Sequence, residues 1–301
     1  MSVIEVSRLT KDYGAVRAVD DLSFNVQAGV IAGFLGPNGS GKTTTLRSLL
    51  GLVAPTAGAA TIAGRPYREL RDPLREVGAL LEATAHPARS ARSHLRVVAA
   101  EARVPRSRVD ELLDLVELRG AAERKVGGFS LGMRQRLGVA GALIGDPAIL
   151  VLDEPANGLD PEGIRWLRDF LRTLADEGRT IFLSSHVLSE VAQTVDEAVV
   201  INQGRLVTHA PLSELVDNGP GRNVHVRSPQ LDTLDSILRD AGMLTARNAS
   251  DGLTVMGGGQ EAIGQLAFDH GVVLYEIFSE STSLEEAFFE LTSSRAERAA
   301  A

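Results

Sequence analysis

Between Gly36 and Thr43 the chain reads Gly-Pro-Asn-Gly-Ser-Gly-Lys-Thr, and this octet restricts the local fold more than any other stretch. The pattern is G-x-x-x-x-G-K-[ST], in which glycines let successive backbone N–H groups curl around an anion while a lysine and a hydroxyl close the cradle. Its flanks are suited to that task. Val30-Ile-Ala-Gly-Phe-Leu35 is a short apolar run fit for a buried strand, and Thr43-Thr-Thr-Leu-Arg-Ser-Leu-Leu50 opens a helix whose positive N-terminus faces the loop. Strand, loop and helix in that order predict a nucleoside triphosphate site made by Gly36, Pro37, Asn38, Gly39, Ser40, Gly41, Lys42, Thr43 and Thr44. Lys42 would neutralise the outer phosphates, and the Thr43 hydroxyl would reach Mg²⁺. Farther on, Ile149-Leu-Val-Leu-Asp-Glu154 reads as a second buried strand, ending in two carboxylates.

Composition narrows the partners. At 301 residues, 44% apolar and 23% charged, the chain suits a soluble globular protein of one large or two modest domains. No apolar run approaches the roughly 18 residues of a membrane-spanning helix, and Met1-Ser-Val-Ile-Glu-Val lacks the marks of a signal peptide, which predicts a cytoplasmic location. The absence of cysteine excludes disulfides, thiolate metal sites and thiol redox chemistry. A net charge of −8 argues against stable binding to nucleic acid. Ten arginines against five acids between Arg65 and Arg108 read first as a solvated surface, and second as a contact for anionic lipid or a partner's acidic loop.

Along the chain, Val3–Val6 and Leu22–Val26 alternate as strands around a turn at Asp12-Tyr-Gly14 and predict a small antiparallel sheet. From about residue 85 to 145 the pattern turns helical. Val109, Leu112, Leu113 and Val116 fall on one stripe, and a further helix begins near Ser130. Strands for a parallel sheet recur at Ala148–Leu152, Thr180–Leu183 and Glu197–Ile201, with helical Pro161–Ala175 between the first two. Asn202-Gln-Gly204 turns the last of these into Arg205–Thr208. Turn formers at Asp217–Gly221 mark a linker, dividing residues 1–216 from a small α+β unit over 222–301 that has a strand at Val224–Arg227 and a helix at Leu231–Ala241. A final helix would align Leu284, Ala287, Phe288 and Leu291.

Four segments choose among nucleotide-binding proteins. Phe129-Ser-Leu-Gly-Met-Arg-Gln-Arg136 precedes Asp153-Glu-Pro155, which is followed by Asn157-Gly-Leu-Asp-Pro161 and Ser184-Ser-His186. Over residues 1–215 this order and spacing resemble the ATP-binding cassette (ABC) family, in particular the separate ATP-binding subunit of a transporter. The implied fold class is α/β: a P-loop NTPase cassette with a mostly parallel core sheet, a small antiparallel β subdomain and a helical insert, followed by the α+β appendage. The resemblance implies that Tyr13 stacks on adenine, Asp153 holds Mg²⁺ through water, Glu154 is the general base and His186 contacts the γ-phosphate. Ser130, Gly132 and Asp160 would complete the ATP site of a second subunit in a head-to-tail dimer. Cofactors would be ATP and Mg²⁺, and the partner a membrane permease met by Ala83–Leu95, which would keep the chain on the inner face of the membrane.

The sequence departs from the family pattern twice. Leu131 and Met133 replace a glycine and the glutamine of the usual Leu-Ser-Gly-Gly-Gln signature, and Glu82 stands where glutamine is usual, as a carboxylate for Mg²⁺ or the lytic water. Similar replacements, and a C-terminal end like Leu284–Leu291, occur in the subgroup of bacitracin-type and daunorubicin-type exporters. ATP-driven export of a drug, antibiotic or lipid-like compound is therefore the leading expectation. Import comes second, and action on nucleic acid or ribosomes third.

Overall fold

The computed structural model of the chain describes residues 2–82, 85–187, 193–217, 223–248, 252–256 and 258–279. The chain forms two compact units, Met1–Leu212 and Ser213–Ala301. Among the described residues no helix is long and apolar enough to cross a membrane.

The first unit is built around strands with nothing polar in their middle. β3 (Ile31–Leu35), β6 (Ile149–Leu152) and β7 (Thr180–Ser185) are buried at every position, the mark of a parallel sheet covered on both faces. With β5 (Val77–Leu80), β8 (Glu197–Asn202) and β9 (Arg205–Pro211) they make a six-stranded sheet in the order β5-β6-β7-β3-β8-β9. All its pairs are parallel except β8 with β9, which the anticipated turn at Gln203-Gly204 makes antiparallel. A second sheet, ordered β2-β1-β4, contains the expected hairpin of β1 (Ser2–Tyr13) and β2 (Val16–Gln27), and adds β4 (Ala57–Ile62). Alternation buries Phe24 of β2 against Phe34 of β3 and Phe182 of β7, with ring centroids 5.2–5.6 Å apart, so one apolar cluster joins the two sheets.

Helix α1 (Lys42–Leu49) follows β3, and a short helix α2 (Pro73–Glu76) precedes β5. Helices α3 (Ala91–Glu101), α4 (Ser107–Leu115) and α5 (Leu131–Ala142) lie between β5 and β6. The predicted stripe of Val109, Leu112, Leu113 and Val116 is buried. Arg65, Arg92 and Arg108 of the arginine-rich stretch form ion pairs with acids of the chain itself. Helix α6 (Pro161–Asp176) separates β6 from β7 and starts on an Asp160 cap followed by Pro161.

In the second unit, β10 (Asn223–Arg227), β11 (Leu244–Asn248), β12 (Gly252–Met256) and β13 (Glu276–Ser279) form an antiparallel sheet ordered β11-β12-β10-β13. Helices Leu231–Asp240 and Gln260–Asp269 supply Leu234, Leu238, Ile263 and Ala267 to a core shared with Val224, Val226, Leu253 and Val255. The helix anticipated over Leu284–Leu291 lies outside the described residues.

Because Phe182 is fully buried and links both sheets, Phe182→Ala is expected to destabilise the first unit by about 3–5 kcal/mol. Urea unfolding followed by circular dichroism measures this, and a loss well below 1 kcal/mol would mean that the aromatic cluster is not what joins the sheets.

Candidate functional site

Strands β6, β7 and β3 are neighbours and run in one direction, so their C-terminal ends share a rim, where ligands of open parallel sheets gather. Register sets what stands there. Leu35 pairs with Ser185 and Leu152 with Leu183, which brings Gly36, Asp153, Glu154 and His186 to the same edge.

The loop after β3 is pressed against its surroundings. A Cβ on Gly36 would stand 2.5 Å from the Ile201 carbonyl oxygen, and one on Gly41, whose φ is +105°, would stand 2.5 Å from that of Ala18. Only glycine fits at these two points. Helix α1 then begins at Lys42, which is 5% exposed and donates to the carbonyls of Gly36 at 2.6 Å and Pro37 at 3.3 Å. The buried Ser40 hydroxyl has no hydrogen-bond partner among the described residues. A helix N-terminus and an ammonium beside a cavity of about 440 Å³ fit a triphosphate. Thr43 Oγ1 donates to Asp153 Oδ2 at 2.8 Å, so a hydroxyl and a carboxylate oxygen of the kind Mg²⁺ selects stand side by side.

The two acids that follow β6 face different groups. Asp153 is nearly buried and accepts from the Ser184 hydroxyl as well as from Thr43. Glu154 adopts a left-handed backbone, φ +48°, uncommon for a side chain of its size and of the sort that collects at functional sites. Its N–H donates to Ser184 Oγ at 2.9 Å, while its carboxylate lies 3.4 Å from Lys42 Nζ and 2.8 Å from His186 Nδ1. Ser184 thus positions both acids through one hydroxyl, a task the sequence reading did not assign. The available signal was a serine continuing an otherwise apolar strand. Asn157, also unassigned, borders the cavity together with Asn38, Gly39, Lys42, Thr43 and Thr44.

Other expected site residues stand apart from this cavity. Tyr13 is half-exposed at the end of β1, with Lys11 Nζ 5.0 Å from its ring centroid. Glu82 pairs with Arg47 at 2.9 Å and borders a neighbouring hollow with Leu50 and Leu52. Ser130 caps α5 by accepting from the Met133 N–H at 3.2 Å, with Gly132 one position into that helix. Asp160 caps α6 by accepting from the Gly163 N–H at 2.8 Å.

The chain is similar to known proteins. The family model for ABC transporters matches residues 19–157, and one for a domain of unknown function matches residues 222–285. The bacitracin transport ATP-binding protein BcrA of Bacillus licheniformis is 36% identical over 304 residues, covering 96% of this chain and 97% of that protein. The Nod factor export ATP-binding protein I of Cupriavidus pinatubonensis is 35% identical over 298 residues, with 97% and 91% covered. A solved ATP-binding subunit of an ABC transporter superposes with a TM-score of 0.64 at 27% identity, over 72% of this chain and 92% of its own.

Removing the Ser184 hydroxyl leaves the Glu154 N–H without an acceptor and Asp153 without one of its donors. Ser184→Ala should therefore cost about 1–3 kcal/mol of stability, read by chemical denaturation. An unchanged midpoint and slope would show that the two acids hold their places without it.

Proposed function

The chain belongs to the ABC transporter family, and from that premise we propose that it is the subunit that binds ATP with Mg²⁺ and hydrolyses it to power export through separate membrane subunits. The observation that carries the reading is the convergence of Lys42, Thr43, Asp153, Glu154 and His186 on one rim of the parallel sheet. In this reading the Gly36–Thr44 loop and Lys42 bind the phosphates, while Thr43 and Asp153 hold Mg²⁺, which when bound offsets charge on the phosphate oxygens. Glu154 accepts the proton of the attacking water at a carboxylate oxygen, and His186, at 2.8 Å from that carboxylate, fixes its orientation and faces the γ-phosphate. Tyr13 serves as the adenine platform.

Ser130 and Gly132 at the start of α5, with Asp160, serve the nucleotide of a second copy, so the working unit is a head-to-tail dimer. Glu82 is the further Mg²⁺ or water ligand once its pairing with Arg47 is exchanged. The membrane partner is met through Ala83–Leu95 and keeps the subunit on the inner face of the membrane. The relatives' names support an antibiotic or a lipid-like compound as cargo. The chain divides functionally into residues 1–216, which bind ATP, and residues 222–301, an accessory domain.

Lys42→Ala is expected to lose most ATP affinity in calorimetry. Glu154→Gln should keep ATP bound yet slow hydrolysis about 10²–10⁴-fold, since an amide cannot take the proton. Turnover of the Glu154 variant within a few-fold of the parent would remove that residue as the base. Deleting residues 222–301 is expected to leave ATP binding intact, and a folded truncation that no longer binds ATP would refute the division.

A further inference from the structure

Leu131 is the residue at which the signature departs furthest from a small side chain, and half of its surface is exposed. What it does touch is specific. A Cβ built on Gly158, whose φ is +72°, would fall 2.0 Å from Leu131 Cδ2 and 3.1 Å from its Cγ. The isobutyl group therefore rests directly on the backbone of Gly158, in the loop between β6 and α6. The next pair reciprocates, because Leu159 Cδ2 lies 3.4 Å from where a Cβ on Gly132 would be. One turn along, the Arg136 guanidinium of α5 sits 4.0 Å above the Trp166 ring of α6.

The loop under Leu131 is itself fixed at both ends. Asp160 caps α6 through the Gly163 N–H, and the Asn157 N–H donates to the Glu154 carbonyl at 3.1 Å. Glu154 is the left-handed residue whose carboxylate meets Lys42 and His186. The N-terminus of α5 thus packs on Gly158, four residues after Glu154, in a loop whose Asn157 N–H is tied to the Glu154 carbonyl. A glycine at position 131 would have no side chain to place on Gly158.

We infer that Leu131 is a positioning residue for hydrolysis: it ties the N-terminus of α5 to the loop that begins at Glu154. The inference rests on the ATPase reading above, in which Ser130 and Gly132 grip the nucleotide of a second subunit. Engagement of that nucleotide pulls on α5, and Leu131 passes the displacement to Gly158 and so to Glu154 of the same subunit. Gripping one ATP and setting the base for the other become a single movement, which makes turnover cooperative. The coupling is carried by a packed two-body contact, and a contact of this kind can be cut without touching either nucleotide.

The test is steady-state ATPase of the full chain across ATP concentrations, with its permease if the isolated subunit is slow, for Leu131→Ala, Leu131→Met and Gly158→Ala and for the double variant Leu131→Ala/Gly158→Ala. Leu131→Ala keeps helix propensity but withdraws the methyl groups from Gly158. It should lower kcat about five- to thirtyfold and bring the Hill coefficient to one, while calorimetric ATP affinity of the monomer stays as in the parent. Leu131→Met should restore both parameters, because its longer chain again reaches Gly158. The double variant should lose less than the product of the two single losses, as required when two residues act through one contact. Unchanged kcat and cooperativity in Leu131→Ala would overturn the inference, and so would equal damage from Ala and Met or losses that simply multiply. Absence of turnover in the parent would overturn the ATPase reading and this inference with it, whereas an active parent with an unaffected Leu131→Ala overturns this inference alone.

Discussion

The pairing of β3 with β7 is the interaction on which the site depends. Five consecutive registers, Ile31 with Ile181 through Leu35 with Ser185, set the end of one strand level with the end of the other, in a part of the sheet buried on both faces. A slip of a single residue would turn each apolar side chain to the opposite face and part Phe34 from Phe182. It would also shift Ser184 and His186 relative to the loop after β3. The apolar cluster that holds this register is therefore also what sets the distances between the polar groups of the rim, although none of its members is polar.

Around that rim the chain accepts several costs that a purely structural sheet would avoid. Lys42 and Asp153 are withdrawn from water, and Glu154 occupies a backbone region that disfavours its side chain. Each cost is offset locally. The ammonium is met by two carbonyls and a carboxylate, and the aspartate by two hydroxyls. These partners come from β3 and its loop, α1, β6 and β7, so the charged groups are satisfied only when the elements are assembled together.

Much of this was legible in the sequence because the signals are local. The glycine spacing of the phosphate loop, the unbroken apolar runs of β3 and β6, and the Ser130 and Asp160 caps depend on neighbours a few residues away. Two strands were not foreseen. In β4, Ala57–Ile62, and β5, Val77–Leu80, alanine and glycine weaken the β signal, and their pairing with β1 and β6 is what makes them strands. Position 78 shows why small residues are needed there, since a Cβ on Gly78 would stand 2.2 Å from the Ala142 carbonyl of α5. Ser184 escaped for a related reason: its partners lie some thirty residues earlier, and nothing in its own neighbourhood announces them. The placement of Glu82 beside Arg47, thirty-five residues earlier, is likewise a tertiary fact.

Trp166 is the one tryptophan of the chain, and it sits where α5 meets α6, with a guanidinium over its face and Phe170 stacked 5.1 Å away. Indole emission depends on the charge and polarity around the ring, so its colour and intensity follow the distance to Arg136. The protein carries its own optical gauge at the junction, free of background from any second indole, and with no cysteine in the chain a label elsewhere can be attached at a single chosen site. Movements of this one contact can be watched in solution, in real time, in a chain whose fluorescence needs no alteration.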